Sequence, residues 1–151
     1  EQFDRDYGLY EGYRLDDAVV AVVAANSTAG TVKAVVDDLR DEGLKVGLLK
    51  PRVFRPFPGR ELADALRHVE AVAVMDRSVS FGAMDNAGPL FLELVAGLAL
   101  HGVWMPMADY VYGLGGRDIL PREIERVYRD ALVMAETGRA EHAVTYLSVR
   151  E

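Results

Sequence analysis

Ala18 to Ala25 reads AVVAVVAA, an unbroken apolar run of strand length. A strand with no polar residue on either side of its pleat has to be covered on both faces, as an inner strand of a parallel sheet is. The residues that follow, Asn26-Ser27-Thr28-Ala29-Gly30-Thr31, are small and mostly polar. Val32, Val35, Val36 and Leu39 then recur at helical spacing until Glu42-Gly43 ends the run. The pattern predicts a strand, a turn and a helix.

The same alternation continues. Lys45 to Lys50 reads as a second strand, followed by the proline-rich loop PRVFRPFPG and a short helix near Arg60 to His68. Ala71 to Met75 is a third strand. A glycine-containing loop, Asp76 to Pro89, leads to an apolar helix at about Leu90 to Leu100, and DYVYGL at 109–114 is the fourth strand. Pro121 suits the first turn of a helix with the apolar stripe Ile124, Val127, Tyr128, Ala131 and Leu132. VTYLSV, 144–149, is a candidate antiparallel edge strand. Repeated β-α units predict a three-layer, Rossmann-like α/β fold: an open, mostly parallel sheet with helices on both faces. Residues 18–151 are read as that domain. Residues 1–17, rich in acids and tyrosines, are read as an exposed lead-in from an upstream domain.

Composition narrows the function. A chain of 151 residues suits one domain, burying roughly 70% of its unfolded surface. Seventeen basic against 24 acidic residues give a net charge of −7, which opposes nucleic acid and anionic lipid as partners. The chain contains no cysteine, so it supplies no thiolate to an iron–sulfur cluster or a Cys-type zinc site. The apolar runs are too short to span a membrane, and a cytoplasmic location is expected.

In open parallel sheets, ligands meet the loops at the carboxyl ends of the strands. The NSTAGT loop offers Ser27, Thr28 and Gly30 at a helix N-terminus, where backbone N–H groups bind anions or a hydroxyl caps the helix. Its spacing departs from the flavodoxin phosphate loop and from the Walker and dinucleotide patterns. Lys50, Arg52 and Arg55 form a local basic cluster in an acidic chain, available to an acidic ligand or to neighbouring carboxylates. Asp76-Arg77 reads as an ion pair or an interface contact. Ser78 and Ser80 lack a nucleophile-elbow pattern, and His68, His101 and His142 lack metal-ligand spacing. Trp104, Met105 and Met107 read as core or interface filling. Gly113, Gly115 and Gly116 follow a strand and precede a helix, but Asp118 breaks the dinucleotide fingerprint, leaving a tight turn with Asp118 near the positive end of the helix.

Three blocks, NSTAGTVKAVVDDLRDEGLKVGLLKPRVFRPFP, DRSVSFG and YGLGGRDI, occur in an order and spacing that resemble the C-terminal, transketolase-C-like domain of the α subunit of pyruvate:ferredoxin oxidoreductase and related 2-oxoacid:ferredoxin oxidoreductases. The resemblance covers about residues 17–130. It implies an enzyme that uses thiamine diphosphate and Mg2+ to decarboxylate a 2-oxoacid, pyruvate in the first instance. Electrons would pass through [4Fe-4S] clusters to ferredoxin, and the acyl group to coenzyme A. It also implies that those groups are handled by preceding domains and by the β, γ and ferredoxin-like δ subunits, so that this domain binds no cofactor alone, turns over nothing alone, and braces the α subunit. The terminal YLSVRE resembles the close of a free-standing α subunit.

By the same analogy the RVFRPFP loop approaches the active-site side, making Arg52 and Arg55 the leading candidates for contact with substrate, coenzyme A or a partner, with Ser27, Thr28 and Gly30 second. Arg77, Gly115, Gly116, Arg117 and Asp118 match the family's motif loops without an assigned role. FGAMDNAGPL departs from the resemblance, being bulkier at Met84, Asp85 and Asn86. Two other classes stay open on the residues: a stand-alone phosphate- or flavin-binding module cradled by NSTAGT, and a non-catalytic subunit-interaction module.

Overall fold

Along β2 (Val20–Ala24), side chains alternate across the pleat, and both sets are buried. Val20, Val22 and Ala24 join one apolar cluster, while Ala21 and Val23 join a second on the opposite face. That double burial is what the AVVAVVAA run demands. A computed structural model describes residues 8–25, 28–114 and 118–147.

Six strands form one sheet in the order β1-β3-β2-β4-β5-β6, with β1 at Tyr10–Tyr13, β3 at Val46–Pro51, β4 at Ala71–Asp76, β5 at Met107–Val111 and β6 at Val144–Tyr146. Helices α1 (Thr28–Asp41) and α4 (Pro121–Thr137) supply the first apolar cluster. Helices α2 (Gly59–Leu66) and α3 (Pro89–Leu100) supply the second. The three-layer α/β arrangement expected from the strand and helix periods is therefore the observed one.

Two edge assignments are corrected. The C-terminal edge strand is present, but β6 runs parallel to β5, pairing Asp109 with Val144 and Val111 with Tyr146. The antiparallel edge is at the other side, where β1 pairs with β3, Tyr10 opposite Pro51 and Tyr13 opposite Leu48. Residues 10–13 are thus part of the sheet rather than an exposed lead-in. Glu11 explains their polarity: its carboxylate accepts from Lys33 Nζ at 2.7 Å, tying this edge to α1. β5 also ends earlier than its sequence run implies, at Val111, although the Tyr112 N–H still donates to Asp76 O at 2.9 Å.

Helix α4 shows how the stripe becomes packing. Ile124, Val127, Tyr128 and Ala131 are buried, and Gly138 ends the helix in the left-handed conformation (φ 78°), its N–H returning to Met134 O at 2.8 Å. The Tyr128 hydroxyl donates to Gly47 O of β3 at 2.7 Å from a fully buried position. Tyr128→Phe is expected to lower stability by about 1–2 kcal/mol in urea unfolding, since it leaves that carbonyl without its donor while preserving the ring. No helix among the described residues is long and apolar enough to cross a membrane.

Candidate functional site

The chain leaves β2 through α1 on one face of the sheet and leaves neighbouring β4 through α3 on the other. Connections that part in this way open a crevice at the carboxyl ends of the two strands, where ligands of such sheets bind. A cavity of about 300 Å³ lies there. It is lined by Ala25 after β2, by Pro51 to Phe54 at the end of β3, by Met75 to Ser78 at the end of β4, by Pro89 and Leu90 opening α3, and by Tyr112 after β5.

Its polar groups have distinct tasks. The Arg77 guanidinium lies over the Tyr112 ring, its central carbon 5.2 Å from the ring centroid. Gly113 (φ 74°) leaves room for it, since a Cβ there would stand 3.3 Å from that carbon. The Tyr112 hydroxyl in turn meets Thr28 Oγ1 at 2.6 Å in a buried bond. Thr28 is the first residue of α1, and its bond fixes the tyrosine under Arg77. Arg52 reaches Glu11 at 3.2 Å. Glu11 is shared with Lys33, and the hydrogen bond from that lysine, followed by the nearby charges, holds its carboxyl below the usual carboxylate range.

Beneath the cavity, Asp76 and Asp109 form a buried acidic pair. Asp76 accepts the N–H groups of Leu90 at 2.9 Å and Phe91 at 3.0 Å, so it caps α3 rather than pairing with Arg77. Asp109, fully buried in β5, accepts the Gly88 N–H through Oδ2 at 2.7 Å. Its Oδ1 is buried and accepts no hydrogen bond. Burial first, then the hydrogen bond and charge of Asp76, push Asp109 up to about 8, and a proton held between the two carboxyls satisfies the orphan oxygen.

Of the residues singled out by sequence, Arg52, Arg77 and, through Tyr112, Thr28 converge on this cavity. Arg55 does not line it; its guanidinium pairs with Glu93 of α3 at 2.8 Å and covers Phe54. Gly30 sits exposed on α1 with open space about it. Asp118 is exposed before α4, where Glu123 instead accepts the Leu120 N–H at 2.8 Å. Ser27, Gly115, Gly116 and Arg117 lie outside the described residues. Of the expected fillers, Met105 is buried whereas Trp104 is 81% exposed. Tyr112 and Asp109 were not singled out, although an aspartate inside the apolar run MADYV is the kind of residue that requires a buried partner.

Residues 18–124 match the family model described as pyruvate:ferredoxin oxidoreductase core domain II. The chain belongs to this family. Among curated relatives, it is 41% identical to pyruvate synthase subunit PorA of Methanothermobacter thermautotrophicus and 43% identical to PorA of Thermotoga maritima, in each case over 100% of this chain. It is 40% identical over 99% of its length to ketoisovalerate oxidoreductase subunit VorA of Pyrococcus horikoshii. The chain spans only 36–38% of these relatives. A solved 2-oxoglutarate:ferredoxin oxidoreductase from Magnetococcus marinus, with 2-oxoglutarate, coenzyme A and succinyl-CoA bound, superposes with a TM-score of 0.62 at 22% identity. That match covers 82% of this chain and 19% of the other, and it shows that the core-domain-II chain shares the fold.

Proposed function

We propose that this chain is core domain II of the α subunit of a thiamine-diphosphate-dependent 2-oxoacid:ferredoxin oxidoreductase, acting in the cytoplasm to form acyl-CoA, CO2 and reduced ferredoxin. The observation that carries the reading is the alignment of all, or nearly all, of the chain with PorA and VorA subunits at about 40% identity. Pyruvate is the favoured 2-oxoacid, from the names of the two relatives at 41% and 43% identity.

The residues present do not fit the redox and metal groups of such an enzyme. The chain has no cysteine for a [4Fe-4S] cluster, and the described residues gather no set of three or more metal-ligating side chains for Mg2+. Those groups, and thiamine diphosphate with them, are assigned to the rest of the α subunit and to β, γ and ferredoxin-like δ partners. This domain's work is to brace the assembly and to present its strand-end loops to the neighbouring parts. Arg52 and Arg77 are assigned to meet an acidic group there, with Thr28 positioning Arg77 through Tyr112. Arg55 and Gly30, exposed at the surface, are assigned to contact with neighbouring domains, and Ser27, Gly115, Gly116, Arg117 and Asp118 of the two motif loops are assigned the same role.

The test is to tag the chain and co-express it with the genes that flank its own. Co-purification of subunits carrying thiamine diphosphate and iron–sulfur clusters, with coenzyme-A-dependent reduction of ferredoxin by pyruvate, is the expected result. Recovery of the chain by itself, with no such activity in the co-expressing extract, would overturn the proposal.

A further inference from the structure

Arg77 differs from most of the arginines among the described residues. Arg14, Arg40, Arg52, Arg55, Arg67, Arg126 and Arg129 each reach a carboxylate within 4 Å. No carboxylate reaches Arg77 among the described residues, although the chain carries 24 acids. Arg60, Arg122 and Arg139 share that condition, but none of them lines the strand-end cavity. Asp76, its neighbour in sequence, is committed to the N–H groups of Leu90 and Phe91. The guanidinium is nevertheless held in place, by the Tyr112 ring below it and the Tyr112–Thr28 bond behind that. A fixed guanidinium with its N–H groups uncommitted is a preorganised fork for an oxyanion.

The rest of the cavity supports the same ligand chemistry. Arg52 lines it as well, with Glu11, itself bonded to Lys33, 3.2 Å away. Val53, Phe54, Pro89 and Leu90 supply apolar walls. Few polar groups set in an apolar cleft is the usual make-up of a small-molecule site.

We propose that this cavity is an anion-receiving subsite, in which the Arg77 and Arg52 guanidiniums take a carboxylate or phosphate oxygen pair and the apolar walls take the ligand's carbon skeleton. The inference rests on the strand-end face being the working face of the domain, as the proposed function has it. Tyr112 is a positioning residue, touching the arginine rather than the anion, and Thr28 acts through Tyr112.

Isothermal titration of the 151-residue chain at low salt tests it with three probes: pyrophosphate, coenzyme A and pyruvate. Binding of at least one is expected, weakened about tenfold by Arg77→Gln and by Arg52→Gln, and a few-fold by Tyr112→Phe, which keeps the ring but frees it from Thr28. Thermal unfolding by circular dichroism accompanies each variant, and Arg77→Gln, which removes no hydrogen bond, is expected to leave the midpoint in place. Response to pyrophosphate and coenzyme A alone identifies phosphate as the anion; response to pyruvate alone identifies carboxylate. No binding by any probe, or binding indifferent to both arginine substitutions, overturns the subsite. Co-purification with partner subunits is a separate readout, so a chain that assembles without binding anions refutes the subsite and spares the family role, and a chain that binds without assembling does the reverse.

Discussion

Gly88→Ala is expected to destabilise the chain by roughly 3–5 kcal/mol, read as a large fall in the urea midpoint. An added Cβ at this position would overlap the Asp76 carboxyl carbon and Oδ2. Asp76 has nowhere to retreat. It is buried, it caps the first turn of α3 through Leu90 and Phe91, and it faces Asp109. Moving it strands two helix donors, and moving Gly88 instead withdraws the N–H that Asp109 Oδ2 accepts. A domain of this size is stable by only about 5–15 kcal/mol, so the substitution would consume a large share of its margin. Gly30→Ala is the matched control. Nothing lies within 4 Å of a Cβ there, and the site is inside α1, so alanine should be neutral or stabilising by about 0.5–1 kcal/mol. Equal midpoints for the two variants would show that the close approach at Gly88 is not real.

The layers of this fold were legible because apolar period and burial agree. AVVAVVAA needed cover on both faces, and the Ile124, Val127, Tyr128 stripe needed one sheet to lie on. The hand of the edges was not legible. β6 is three residues long with none of them fully buried, so its sequence carries little directional information, and the one acid and two tyrosines of residues 10–13 look like surface until Lys33 and Arg52 meet Glu11 from outside the segment.

The site was legible in part for the same reason. Arg52 stands out as a cation in an acidic chain, and its loop position follows from the strand order. Arg55 stands out equally in the sequence and is drawn away by Glu93, a residue 38 positions on, which no local pattern announces. Arg77 reads locally as the partner of Asp76. The bare N–H groups at the start of α3 compete for that carboxylate and win, leaving the guanidinium to Tyr112. Long-range competition for a buried carboxylate decided the chemistry of the cavity.

The same competition makes stability depend on pH in an unusual direction. Asp109 has an ordinary value near 3.8 in the unfolded chain and about 8 in the fold. Between those limits the folded chain holds a proton that the unfolded chain has released, so folding takes up a proton. Stability then falls as pH rises from about 4 to about 8 and levels beyond it, the reverse of what a salt-bridged carboxylate contributes. Asp109→Asn removes the titration while keeping the shape: the amide oxygen can accept from Gly88, and the NH2 can donate toward Asp76 in place of the shared proton. The variant is expected to match the wild type near pH 4 and to exceed it on the order of 3–5 kcal/mol at pH 9, with urea midpoints at pH 4, 7 and 9 as the measurement. Asp76→Asn should behave differently, losing stability at every pH, because an amide serves the Leu90 and Phe91 donors less well than a carboxylate. Groups elsewhere titrate alike in wild type and Asp109→Asn, so they cancel in the difference. Parallel pH profiles for those two proteins would mean that the proton is not held at Asp109, and that its orphan oxygen is satisfied in some other way.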